Sequence, residues 1–209
     1  MSNQLTESKI MQALDFIYDK AVNGLPMCET AEEMAASYLK DQGSLYEQAN
    51  SLIRWQNTKA AGSGFLTGLG GVLVMPITLP AGMSSVIYIQ IRMVAAIASM
   101  AGYDLKDDRV KSLIYVCLIG DAAKDVLKNV GIVMGSKMAT NAIKNISGKT
   151  IVMINQKVGF RLLTKFGETG VINLGKAVPI IAGLIGGTMD SMATNTIGNV
   201  ARDIFIVKY

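Results

Sequence analysis

From Ala60 to Tyr103 the only charged residue is Arg92. A helix that is apolar on every side has to be buried, in protein or in lipid, so this run decides what the rest of the chain must do. Its first part, Ala60–Met75, carries five glycines, with Gly64 and Gly68 at GxxxG spacing, and Pro76 and Pro80 bracket a break. Its second part, Ala81–Tyr103, reads as one continuous helix. A bilayer span needs about 20 apolar residues. The sixteen of Ala60–Met75 reach only roughly 24 Å at helical rise. Ala81–Tyr103 is long enough, but Arg92 stands at its middle, where a charge costs about 2.5–3.5 kcal/mol on the mildest insertion scale. The C-terminal apolar run is cut by Lys176 and Pro179. These segments therefore suit the buried layer of a bundle that can open toward lipid better than they suit ordinary spans.

The flanking sequence supplies the cover. Thr6–Asn23 has Ile10, Leu14, Ile17 and Tyr18 at helical spacing. Thr30/Glu33 and Ser44/Glu47 are capping boxes that open a second and a third helix. After a charged turn at Asp104–Lys111, a helix is expected from about Val110 through Lys128, with Asp121, Lys124, Asp125 and Lys128 as a polar edge. Gly131–Gly135 repeats the GxxxG spacing, basic helical segments follow over Ser136–Asn145 and Gly148–Phe166, and a last helix bears Asp190, Asn195, Asn199 and Arg202. No alternating strand pattern occurs. The fold class is all-α: a compact multi-helix bundle with glycine-rich apolar central hairpins. Residues 1–59 form an amphipathic N-terminal layer and 60–209 the apolar core, within one structural domain of 1–209.

Composition removes much chemistry. Histidine is absent, and with it the usual general base near neutral pH and the commonest zinc ligand. Cys28 and Cys117 have no metal-ligand spacing and read as small buried hydrophobes. Ser147-Gly148-Lys149-Thr150 lacks the glycine and the preceding strand of a P-loop, so it reads as a turn or helix start. Asp107, Asp108, Asp121 and Asp125 have basic neighbours and read as surface ion pairs. No nucleophile–base pair is visible, so no catalytic residue, metal or cofactor is expected, and the protein is read as non-enzymatic.

Charge points to a partner. Residues 1–59 hold five Lys/Arg against eight Asp/Glu, and residues 60–209 hold fifteen against eight. Between Asp125 and Glu168 there is no acid but seven bases, Lys128, Lys137, Lys144, Lys149, Lys157, Arg161 and Lys165. Such a stretch is attracted to an anionic bilayer by about 1 kcal/mol per charge near the surface. Lys137, Lys144, Lys149, Lys157, Arg161 and Lys165 are the candidate membrane-surface contacts. Nucleic acid is not expected, because aromatics for base stacking are few. Buried Arg92 needs a partner, and Asp190, after a glycine-rich run, is the candidate. Tyr88, Gln90, Arg92, Asp190 and Asn195 form the candidate lipid- or ligand-binding set.

Particular residues carry a family resemblance. Gly70-Gly71 with Pro76 and Pro80, Tyr88-Ile-Gln90-Ile-Arg92-Met93 and Gly102-Tyr103-Asp104 are the first part of it. Val158-Gly159-Phe160-Arg161-Leu162, Ile172-Asn173-Leu174-Gly175-Lys176 and Ile185-Gly186-Gly187 followed by Asp190, Thr194 and Ile197-Gly198 are the second. Over roughly residues 50–205 the chain resembles the EcsC protein family. The resemblance implies an envelope-linked role, since that family takes its name from a protein encoded beside an ABC transporter, and it implies no reaction. The expected function is peripheral, reversible membrane or lipid binding. A regulatory partner of a membrane transporter or secretion machinery, and a pore-forming effector, are the alternatives. The polar opening MSNQLTESKI lacks a signal-peptide core, which suggests a cytoplasmic, peripherally membrane-associated protein.

Overall fold

The computed structural model describes residues 6–26, 28–61, 83–132, 139–173 and 182–206. Among these the architecture is all-α, and the one β-type contact is an isolated bridge between Leu25 and Cys28.

The N-terminal helices start where their caps place them. Thr6 Oγ1 accepts from Lys9 N at 3.3 Å and opens α1 (Glu7–Asn23). Ile10, Ala13, Leu14, Ile17, Tyr18 and Ala21 line one buried stripe of it. Thr30 and Glu33 close a reciprocal capping box on α2 (Ala31–Tyr38). Ser44 and Glu47 do the same at the start of α3 (Leu45–Ala61). Each box satisfies two amides that the first helical turn would otherwise leave without acceptors.

The apolar helix α4 (Met83–Met100) is the centre of the bundle. Every residue from Ile87 to Ala98 is buried, and α1, α2, α3 and two later helices, α5 (Asp108–Cys117) and α9 (Ala182–Phe205), pack around it. This accounts for its all-round hydrophobicity: neighbouring helices surround it. It ends at Gly102 (φ +82), where Tyr103 N bonds Ala98 O at 3.0 Å and Gly102 N bonds Ser99 O at 2.9 Å. That pair of bonds is a Schellman cap, and its left-handed residue favours glycine. No helix of the described residues is long and apolar enough to cross a membrane.

The expected helix from Val110 to Lys128 is broken. The chain forms α5 (Asp108–Cys117), a 3-10 turn (Gly120–Ala122) and α6 (Ala123–Lys128). Leu118 N and Ile119 N bond three residues back, and Gly120 then takes φ +59, which ends the ladder. Gly131 is likewise a terminator (φ +79, Ile132 N to Leu127 O at 3.0 Å), and Gly135, its partner in the GxxxG spacing, lies outside the described residues. Gly64 and Gly68 lie outside the described residues.

The C-terminal half contains α7 (Ala139–Lys144), α8 (Gly148–Asn173) and α9 (Ala182–Phe205). Ser147 Oγ accepts from Thr150 N at 3.2 Å, so Ser147-Gly148-Lys149-Thr150 is a helix start. The α8 helix lies against α1 and α5, and α9 lies against α3, α4 and α5. At Gly198, α9 approaches α3 closely enough that a Cβ would sit 2.8 Å from both Cγ atoms of Ile53. One continuous hydrophobic cluster runs from Ile10 to Ile206.

Candidate functional site

The residues expected to form one ligand set are distributed over three places. Tyr88 and Arg92, one turn apart on α4, face the turn between α1 and α2. The guanidinium stands 5.2 Å from the Tyr88 ring centroid and donates Nη1–H to Glu29 O at 3.2 Å. Both side chains are buried, and the Tyr88 hydroxyl and Arg92 Nε have no hydrogen-bond partner among the described residues. Burial raises the Tyr88 phenol above its ordinary range, with the Arg92 charge acting against that rise. Gln90 points the other way, donating Nε2–H to buried Thr194 Oγ1 on α9 at 3.1 Å. Asn195 is exposed and lines a groove between α3 and α9. The Asp190 side chain lies outside the described residues. Among the described residues Arg92 has no carboxylate within 4 Å, and a backbone carbonyl and an aromatic face are its partners.

The acidic residues are accounted for locally. Asp107 caps α5, accepts from Arg109 N at 2.9 Å and pairs with the Arg109 guanidinium. The Arg109 side-chain hydrogen bonds hold its carboxyl below the usual range. Asp15 bonds Lys111 at 2.6 Å and accepts from the Tyr115 hydroxyl at 2.8 Å. Among the described residues no three His, Cys, Asp or Glu side chains cluster as metal ligands would. Asp121, Asp125, Lys124 and Lys128 form no ion pair among the described residues.

Of the basic candidates, Lys144, Lys149 and Arg161 are exposed and Lys157 is half-buried. Lys137 and the Lys165 side chain lie outside the described residues. The α8 helix buries Ile154, Val158 and Leu162. Their four-residue spacing fixes which face turns outward. On that face Lys149, Gln156 and Phe160 follow one line, with Val152 and Met153 flanking it. Val152, Met153 and Phe160 are 56%, 37% and 55% exposed, three of the five large exposed hydrophobics among the described residues. Sequence reasoning found the charges here and missed the apolar stripe between them. The signal was available as apolar residues at the helical positions opposite Ile154 and Val158, but it could not be separated from core until a buried face was assigned.

The α3–α9 groove was also missed, apart from Asn195. Its walls are Glu47, Asn50 and Arg54 on α3 and Asn195 and Asn199 on α9, with Ile53 as the apolar floor. The spacings, 47/50/54 and 195/199, each put polar residues on one helical face.

No curated protein and no solved structure matches the chain. A model of the EcsC protein family matches residues 2–209, extending the resemblance through the N-terminal helices. The chain therefore belongs to the EcsC protein family.

Proposed function

We propose that this protein binds anionic membrane surfaces peripherally and reversibly through the outward face of α8, serving the bacterial cell envelope from its cytoplasmic side by binding and not by catalysis. The carrying observation is the exposed stripe of Val152, Met153 and Phe160 along Lys149, with Lys157 at its edge and exposed Arg161 on the adjoining side of the helix. An interfacial helix has this composition: apolar residues that enter the headgroup boundary and bases that meet anionic lipid. Fully burying a large apolar side chain is worth about 1.5–3 kcal/mol, and these three are already partly covered, so about 1 kcal/mol each is the scale. Each base near the surface adds about 1 kcal/mol. A handful of such contributions, set against the cost of immobilising the protein, gives binding that reverses, as a single lipid anchor does.

Flotation with vesicles of phosphatidylglycerol and phosphatidylcholine at low salt tests the proposal. The wild-type protein floats with anionic vesicles and is released as salt rises. The double variant K149E/R161E and the single variant Phe160→Ser bind at least several-fold more weakly, with unchanged circular dichroism. Failure of the wild type to float, or equal flotation of K149E/R161E, overturns the reading. Recovery with native membranes alone, and not with pure lipid, favours a membrane-protein partner on the same face.

A further inference from the structure

The groove between α3 and α9 has a volume of about 370 Å³, and its donors are oriented by a residue behind it. Arg202 Nη1 bonds Asn50 Oδ1 at 2.5 Å and Asn199 Oδ1 at 3.0 Å. A guanidinium only donates. Both amide carbonyls are therefore turned toward Arg202, and both NH2 groups are left for the groove that these two residues line. Arg202 is itself fixed: it pairs with Asp203 at 3.0 Å and stacks 4.3 Å from the Tyr46 ring centroid. Asn195, one turn before Asn199, adds a third amide, and Arg54 adds an exposed guanidinium.

Glu47 lines the same groove. Its Oε2 is held by Ser44 N at 2.8 Å and Ser44 Oγ at 2.9 Å, which leaves Oε1 for the groove. These bonds from Ser44, backbone first, hold the carboxyl below its usual range, so it is charged at neutral pH. The two arginines are balanced by Glu47 and Asp203. A simple anion thus meets donors but no net positive field, whereas a ligand carrying both signs gains from both walls.

We propose that this groove binds a small zwitterion in which an ammonium lies next to a phosphoryl group, the chemistry of phosphoethanolamine. The phosphoryl oxygens accept from the amides of Asn50, Asn195 and Asn199 and from Arg54. The ammonium donates to Glu47, and the ethylene link lies over Ile53. The lining, polar at every residue but Ile53, suits a headgroup and not an acyl chain. The site stands apart from the α8 surface, and K149E/R161E keeps it.

Side-chain amide resonances of 15N-labelled protein provide the test. Titration with phosphoethanolamine shifts the Asn50, Asn195 and Asn199 amide signals saturably. Phosphocholine, whose nitrogen carries no hydrogen, and inorganic phosphate bind at least tenfold more weakly. Asn195→Asp weakens phosphoethanolamine binding at least tenfold while Tm is unchanged, because Asn195 bonds no other described residue. No saturable shift with phosphoethanolamine, equal binding of phosphocholine, or unaltered binding by N195D each overturn the proposal. Vesicles containing phosphatidylethanolamine that compete with the free compound assign the ligand as a lipid headgroup. Absence of competition, with the shifts intact, assigns it as the free compound.

Discussion

Two glycine-to-alanine substitutions, both at buried helical positions, have opposite expected signs. At Gly198 a Cβ would lie 2.8 Å from Ile53 Cγ1, 2.8 Å from Ile53 Cγ2 and 3.2 Å from Met93 Cε. Carbon atoms rest at about 3.5–4.0 Å, so the contact is short by roughly 0.7 Å. Ile53 cannot turn aside, because both of its branches are struck and a β-branched residue in a helix has one strongly preferred rotamer. Overpacking of this kind costs about 1–3 kcal/mol, against a helix-propensity gain of about 1 kcal/mol for Ala over Gly. Gly198→Ala is therefore destabilising by up to about 2 kcal/mol, which lowers Tm by roughly 2–4 °C per kcal/mol at this chain length. At Gly159 the same Cβ would meet Met11 at 3.5 Å and Glu7 Cβ at 3.6 Å, both ordinary contacts. Gly159→Ala keeps the propensity gain and raises stability by about 0.5–1 kcal/mol. Urea and thermal unfolding followed by circular dichroism measure both. A cycle with Ile53→Ala completes the argument, since the methyl group introduced by Gly198→Ala then enters space that Ile53 vacated. The double variant should be more stable than the sum of the singles by about 1–2 kcal/mol. Stabilisation by both alanines, or additivity in the cycle, refutes the close-approach account.

Two further outcomes follow from buried polar groups. Burial, then the nearby Asp15 charge, raises the Tyr115 phenol well above its ordinary range. The unfolded chain thus releases this proton near pH ~10 while the folded chain holds it. The resulting stability is fully present below that pH and is lost as pH rises toward the folded value, at up to about 1.4 kcal/mol per pH unit. Tyr115→Phe should flatten the alkaline fall in unfolding free energy between about pH 10 and 11.5, and an unchanged slope contradicts the assignment. Arg92 has one carbonyl partner and an aromatic face for a buried charge, and apolar replacement of incompletely paired buried charges is often neutral or stabilising. Arg92→Met should change stability by less than about 1 kcal/mol or raise it. A loss above about 3 kcal/mol by urea unfolding would show that the guanidinium is better compensated than its described contacts indicate.

Elements with a local signal were legible. Thr6, Thr30/Glu33 and Ser44/Glu47 placed three helix starts correctly because caps act within one turn. The all-round apolarity of Ile87–Ala98 marked a buried helix, and the central Arg92 that argued against an ordinary span agrees with its position inside the bundle. Features that depend on three-dimensional neighbours were less legible. Nothing around Leu118–Gly120 distinguishes a helix interior from a left-handed glycine. The separation of Gln90 from Arg92 is a matter of helical phase: two residues apart on a helix point to opposite sides, so a set chosen by sequence proximity could not share one pocket. The outward position of Phe160 and the inward turn of the Asn50 and Asn199 carbonyls depend on which faces α1 and Arg202 occupy.

The central place of α4 also sets a timetable for synthesis. The face that carries Gln90 is covered by Thr194 of α9, and roughly 80 residues separate the two helices in the chain. At about 5–20 residues per second, that flank of this apolar helix leaves the ribosome several seconds before its cover exists. The nascent chain thus presents an uncovered hydrophobic helix to whatever lies near the exit site, chaperone or bilayer, and its escape from either is timed by the translation of α9.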